Sequence, residues 1–387
     1  MSVLRLLRIL AFLLTGATLA SPAVAQALFE TKAAQAYMIE AETGSILFAK
    51  DADAPVPPAS LAKLMTMEVV FNAIKAGRLK MDDGFYISEN AWKKGGSSSG
   101  GSTMFAELKS TVPLDALVQG TIVQSANDAC IAIAEGMAGT EENFAALMTE
   151  RAREIGLVRS EFRNATGLPA DGQQVTMREL VMLAQHIWRN YPEFYRFYSQ
   201  PDFTWNKITQ KNRNPLLRMD IGADGLKTGF TDASGYAIVG SVNRNGRRLF
   251  LAMSGLASEA QRAEEARKML DWGIRAFEKR ELFGAETVVG EAGLYGGAKK
   301  GVALVARTPI AVLIPITNRD RLKARIVYTG PVLAPVAKGQ PIGSLKVWIG
   351  DTLSGETKLY AAEDVPVGPI HRRALDALQE LLVGWMR

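Results

Sequence analysis

Two adjacent prolines, Pro57 and Pro58, stand immediately before the apolar, methionine-rich run Ala59-Ser60-Leu61-Ala62-Lys63-Leu64-Met65-Thr66. Prolines at that point end an extended approach and open a helix, which places Ser60 in its first turn. Lys63 follows one turn later on the same face, within hydrogen-bond reach of the serine hydroxyl. The helix N-terminus favours negative charge at the serine oxygen. The spacing therefore permits a nucleophile beside its base, with a capping serine followed by an exposed lysine as the alternative. Met65, Val69, Val70 and Ala73 form an apolar face, so this helix is expected to be central and buried. Burial lowers a lysine pKa and leaves Lys63 partly neutral, able to take the serine proton.

Two further motifs follow in chain order. Ser125-Ala126-Asn127 has the form Ser-x-Asn and Lys227-Thr228-Gly229 the form Lys-Thr-Gly. Each alone reads as a cap, a turn or an ordinary strand segment. Together with Ser60-x-x-Lys63 they make the trio of penicillin-binding proteins and class A β-lactamases. The runs 123–130 (Val-Gln-Ser-Ala-Asn-Asp-Ala-Cys) and 224–231 (Asp-Gly-Leu-Lys-Thr-Gly-Phe-Thr) resemble the low-molecular-mass D-alanyl-D-alanine carboxypeptidases. The resemblance to their catalytic domain covers about 34–278.

That resemblance implies roles. Ser60 is the nucleophile and Lys63 its base; Ser125 relays protons between the two lysines and the leaving amine; the Asn127 amide holds the substrate backbone. Lys227, flanked by Thr228 on an edge strand, can bind a substrate carboxylate and hold the Lys63 pKa down. Gly229 allows a close backbone approach. Phe230 stands where several relatives carry histidine; its backbone N–H remains, and with that of Ser60 it can form an oxyanion hole. Arg262, in the first turn of the helix capped by Ser258, aligns with an arginine that relatives use to hold the terminal carboxylate; a surface arginine is the alternative. No Glu-x-x-Leu-Asn deacylation motif occurs in the loop 164–169, which disfavours rapid penicillin hydrolysis.

The remaining composition excludes other chemistries. One cysteine, Cys130, sits among small apolar residues and reads as core; the two histidines, His186 and His371, show no ligand spacing, so no metal and no cofactor is expected. The serine-rich run 95–102 is a flexible loop by composition, either flanking the cleft or a plain surface connection, and lacks a phosphate-binding ending. Residues 1–25 have the layout of a secretory signal peptide: a basic start, an apolar run too short to span a bilayer, and Ala23-Val24-Ala25. Removing Arg5 and Arg8 with it lowers the net charge from +5 to +3, too little to argue for nucleic acid.

The expected architecture is α+β: a β-lactamase/transpeptidase-like catalytic domain over 26–280, an antiparallel sheet flanked by helices plus an all-helical part. Within it, 35–39 and 45–48 form a hairpin, and strands 226–231, 235–242 and 249–253 follow one another before a helix from Ser258 through Glu278. A small β-rich domain over 281–366 has strands at 287–289, 302–305, 310–316, 322–328, 342–348 and 357–360. Residues 367–387 form an amphipathic helix with Ala374, Leu375, Leu378, Leu381, Leu382, Trp385 and Met386 on one side. It is either a membrane-surface anchor or a helix docked on its own protein. The expected reaction is removal of the terminal D-alanine from a peptidoglycan stem peptide through an acyl-enzyme, with β-lactams as covalent inhibitors, in the periplasm at the inner-membrane surface. A D,D-endopeptidase, a class A-like β-lactamase and a non-catalytic penicillin-binding scaffold are the alternatives.

Overall fold

The computed structural model describes residues 29–317, 322–350 and 352–383, so the leader 1–25 and Trp385 lie outside the described residues. The hairpin forms as β1 (Gln35–Glu40) and β2 (Ile46–Lys50), paired antiparallel with Met38 opposite Phe48. The chain then enters a tight 3₁₀ turn, Ala59–Ala62, and α1 (Lys63–Lys75). Ser60 thus lies in a 3₁₀ turn rather than an α-helical one, and Lys63 is the first residue of the α-helix.

Five strands make the catalytic sheet. After the helical region, which includes α2 (Asn127–Ala138), the chain returns as β3 (Ala223–Thr231), β4 (Gly235–Arg244) and β5 (Arg247–Leu256). Their order is β2-β1-β5-β4-β3, so the first and last strands of the domain pair in its centre and β3, carrying Lys227, is an edge. Each inner strand shows a long buried run because helices cover it: α3 (Glu259–Arg275) packs on β4 and β5, and Met177–Asn190 on β1 and β5.

Helix α1 occupies the middle of the core. Leu64, Met65, Val70 and Phe71 are inaccessible to solvent, and Phe71 stacks on Phe194 with centroids 4.8 Å apart. Burial on this scale is worth about 1.5–3 kcal/mol per large side chain. Ser60 and Lys63, at the head of α1, therefore rest on a helix anchored in the core.

Several boundaries differ from expectation, three of them with a plain cause or a marked change in length. Helix α3 stops at Arg275, because Phe277 is buried in a two-stranded ladder where Phe277–Phe283 pairs with Ile310–Pro315. The strand expected at 287–289 runs over Val288–Tyr295. Gly290 and Gly293 hid it from pattern reading; a Cβ at Gly290 would fall 2.4 Å from Ile326 Cδ1, the mobile tip of a side chain that would have to turn aside. The strand expected at 357–360 likewise runs over Thr352–Ala361.

Beyond α3 the chain is all β until its last helix. A six-stranded sheet is built in the order Leu322–Tyr328, Pro341–Ile349, Thr352–Ala361, Gly301–Val305, Val288–Tyr295, Val332–Leu333. It encloses a separate core that includes Val302, Leu304, Val347 and Leu359. The backbone N–H of Leu313 donates to Ser45 Oγ at 2.9 Å, a buried hydrogen bond between the two regions. Helix α4 (Ile370–Val383) ends the described chain.

Candidate active site

The turn that carries Ser60 is held by close backbone approaches from two sides. Ala59 has φ of +48°, a strained value for a residue with a Cβ. Gly229 of β3 faces it, and a Cβ there would stand 3.1 Å from Ala59 Cβ and 3.2 Å from Ser60 N. So Gly229 makes room for the turn that carries Ser60. From the other side Gly167, with φ of +80°, lies where a Cβ would be 1.7 Å from the Ala59 carbonyl oxygen.

Lys63 is buried, and its Nζ meets three oxygens: Ser60 Oγ at 3.0 Å, Asn127 Oδ1 at 2.9 Å and the Thr166 carbonyl at 2.6 Å. Burial is the largest influence on the amine and brings its pKa from 10.5 down to about 8. A lysine so placed gives up a proton far more readily than one in water.

The Ser-x-Asn motif lies between a π-helical turn, Gly120–Gln124, and α2. Ser125 takes a left-handed conformation at φ +61° and ψ +32°, which ends the turn and directs its side chain inward. Its hydroxyl accepts from Lys227 Nζ at 2.9 Å, while the same amine donates to the Thr228 carbonyl at 2.9 Å. Lys227 is 3% exposed, and burial first, then repulsion from Lys63, pulls its pKa well below the usual lysine value. Asn127 spends its oxygen on Lys63, and its backbone N–H donates to the Ser102 carbonyl at 2.7 Å. Ser102 lines the cleft, so the serine-rich run does flank it. The next residue, Asp128, ties that segment down by accepting from Thr103 Oγ1 at 2.6 Å and from the backbone of Met104 and Ala106.

Ser60, Ser125, Thr228, Gly229, Phe230 and Arg262 all line one cleft of about 590 Å³. Lys211, Arg213, Arg218 and Arg262 make its walls cationic, and Glu259 is the single carboxylate among the lining residues. Arg262 is 5% exposed; its Nε has no partner among the described residues and its Nη2 stays 3.7 Å from Glu259. A buried guanidinium this poorly satisfied is ready for a carboxylate. It lies 5.6 Å from the centroid of the Tyr236 ring, and Tyr236 in turn packs on half-exposed Phe230 with centroids 4.3 Å apart.

Lys63, Asn127 and Lys227 lie behind the cleft lining, joined to it through Ser60 and Ser125, and sequence reasoning missed three features. Arg213 lies in a polar Asn-Arg-Asn-Pro stretch that reads only as loop; the backbone bond from Arg213 N to the Val123 carbonyl, 3.3 Å, sets it beside the Ser125 turn. The Thr166 carbonyl is a main-chain group with no side-chain signature. Tyr236 became a cleft residue only through its register opposite Phe230.

Residues 20–256 match the family described as D-alanyl-D-alanine carboxypeptidase, and residues 277–367 match the C-terminal domain of penicillin-binding protein 5. The D-alanyl-D-alanine carboxypeptidase DacC of Escherichia coli (strain K12) is 34% identical over 90% of this chain and 88% of its own. DacA of Haemophilus influenzae is 35% identical over 89% of this chain and 88% of its own. Among solved structures, penicillin-binding protein 5 from Haemophilus influenzae superposes with a TM-score of 0.73 at 34% identity, covering 87% of this chain and 98% of that one. Penicillin-binding protein D2 from Listeria monocytogenes, in its ampicillin-bound form, superposes at 0.56 with 28% identity over 64% of this chain and 99% of its own.

Proposed function

The chain belongs to the D-alanyl-D-alanine carboxypeptidase family, and we propose that its reaction is carried by Ser60 as nucleophile, Lys63 as base and Ser125 as proton relay. It is a serine hydrolase that removes the terminal D-alanine from peptides ending in D-alanyl-D-alanine. The observation that carries the assignment of residues is the 3.0 Å contact of Lys63 Nζ with Ser60 Oγ at the head of a buried helix.

Neutral Lys63 takes the Ser60 proton as Oγ adds to the penultimate D-alanine carbonyl. The backbone N–H groups of Ser60 and Phe230 receive the oxyanion; loss of one such donor elsewhere costs about 3–4 kcal/mol. The amide C–N bond then breaks, with the proton passed to the leaving amine through Ser125 and its partner Lys227. Water attacks the Ser60 ester, the acid departs, and the hydroxyl regains its proton. Arg262 and Thr228 hold the terminal carboxylate, with Arg213 and Lys227 adding to the positive field, and the Asn127 amide holds the peptide backbone.

The substrate is the peptidoglycan stem peptide, and β-lactams acylate the same hydroxyl. The chain lacks the Glu-x-x-Leu-Asn pattern with which class A β-lactamases clear a penicilloyl ester, which supports a long-lived adduct. Incubating the protein with a D-alanyl-D-alanine pentapeptide and measuring free D-alanine tests the whole reading. Wild type should release it, and Ser60→Ala should neither release it nor bind a fluorescent penicillin covalently. Covalent labelling of Ser60→Ala would overturn the assignment of the nucleophile.

For location, the reading is cleavage of 1–25, a catalytic domain that ends with α3 at Arg275 and not at 280, a β-rich spacer that begins with the strand Phe277–Phe283, and attachment of 367–387 to the periplasmic face of the inner membrane. Helix α4 supports it by the way it is docked. Its polar side faces the β-rich domain, where Asp376 accepts from Gly296 N at 2.9 Å and Arg372 donates to the Ala298 carbonyl. Ile370, Leu375 and Leu378 are left 81%, 64% and 58% exposed, the reverse of a helix packed on its own protein.

A further inference from the structure

We propose that Asn164 is a positioning residue for the base: its side-chain amide, clasped with that of Gln173, fixes the loop 164–168 so that Thr166 presents its carbonyl oxygen to Lys63. This rests on Lys63 acting as the base, as read above.

The clasp is a closed set of hydrogen bonds. Asn164 Oδ1 accepts from Gly167 N at 2.7 Å, Thr166 Oγ1 at 3.0 Å and Thr166 N at 3.2 Å. Asn164 Nδ2 donates to the Leu168 carbonyl at 2.9 Å. Gln173 completes it, accepting from Arg163 N at 3.1 Å and Asn164 N at 3.3 Å while donating to the same Leu168 carbonyl at 3.0 Å. These are the backbone groups of a segment that belongs to no helix or strand, so two amide side chains supply the partners that regular structure would otherwise provide.

What the clasp holds is aimed at the head of α1. The consecutive carbonyls of Ala165 and Thr166 accept from Thr66 Oγ1 at 2.7 Å and from Lys63 Nζ at 2.6 Å. Gly167 then presses against Ala59, the residue before the nucleophile. One loop therefore touches both the turn of Ser60 and the amine of Lys63. Of the three oxygens around that amine, the Thr166 carbonyl is the nearest and the one contributed by this loop. If it withdraws, the amine keeps only Ser60 Oγ and Asn127 Oδ1 and is free to swing off the line to the hydroxyl. Misplacement of a reacting group by about 1 Å can cost roughly 100-fold in rate.

The experiment follows acylation by a fluorescent penicillin as a function of its concentration, separating the limiting rate constant from the half-saturating concentration. Asn164→Ala should lower the limiting rate by about 10–100-fold with half-saturation within about twofold of wild type. Asn164→Asp keeps the three-way acceptor and should recover most of the loss; a merely structural role would give neither the split nor the rescue. Gln173→Ala, which opens the same clasp from the other side, should show the same pattern and stands in if Asn164→Ala does not fold. Acylation of Asn164→Ala within twofold of wild type, or no recovery in Asn164→Asp, overturns the proposal. Lys63→Ala separates the two readings: if it acylates normally the base assignment fails, and if it is silent while Asn164→Ala is normal only the clasp fails.

Discussion

Lys227 Nζ donates to Ser125 Oγ across 2.9 Å, joining residues 102 positions apart in the chain. The two buried lysines are thus each paired with a serine hydroxyl, Lys63 with Ser60 and Lys227 with Ser125. Protons can move between amines and hydroxyls without any histidine.

The pH dependence follows from Lys63. Its pKa is brought down to about 8 by burial, and the form that accepts the Ser60 proton is the neutral amine. Acylation should therefore rise about tenfold per pH unit well below 8 and level off above it. Stopped-flow acylation by a penicillin across that range reads the profile directly. A flat profile would remove Lys63 from the role of base.

Arg262 should act on the carboxylate. A hydrogen-bonded guanidinium–carboxylate contact is worth about 1.5–3 kcal/mol, so Arg262→Ala should lower kcat/KM for a D-alanyl-D-alanine peptide by roughly 10–100-fold. The same peptide amidated at its C-terminus should already be poor for wild type and should lose little further in the variant. Equal losses on both peptides would show that Arg262 holds the fold and not the carboxylate.

Stability should hinge on Glu68, five residues beyond Lys63 in α1 and inaccessible to solvent. It accepts from Arg151 Nη2 at 2.9 Å and from Tyr191 Oη at 2.9 Å, with His186 Nε2 at 3.3 Å. Burial by itself would raise this carboxyl, but His186 close by and the hydrogen bonds from Arg151 and Tyr191 outweigh it and hold the pKa below its ordinary 4.5. The stability it contributes is thus present above pH 4.5 and lost as pH falls through the lower folded value. Glu68→Ala leaves the buried Tyr191 hydroxyl without this acceptor and Arg151 with Glu154 alone, and should cost about 1–3 kcal/mol in urea unfolding at neutral pH. A loss under about 1 kcal/mol would mean that solvent replaces the carboxylate without penalty.

Removal of 370–387 should abolish sedimentation with anionic lipid vesicles while leaving D-alanine release from a soluble pentapeptide unchanged. Continued vesicle binding by the shortened protein would place the lipid contact elsewhere.

Much of this was legible in the order of residues because it is local. The Ser60-x-x-Lys63 spacing, the apolar face of α1 and the short strands around Lys227, marked off by the Arg244-Asn245-Gly246 turn, are local features that need no knowledge of the fold. The end of α3 and the length of Val288–Tyr295 were not legible, because pairing with distant strands overrode what Phe277 and two glycines prefer in isolation.

The chain by itself determined which groups could do chemistry: two serines, two lysines, an asparagine and an arginine, with too few histidines and cysteines to support other schemes. Tertiary structure alone decided how they work together. A carbonyl from Thr166 and an amide from Asn127 converge on one amine, and Arg213 enters the cleft from a loop without pattern. The reason is physical: periodicity governs neighbours three or four residues apart, whereas a buried amine takes its partners and its proton affinity from whatever the completed core sets around it.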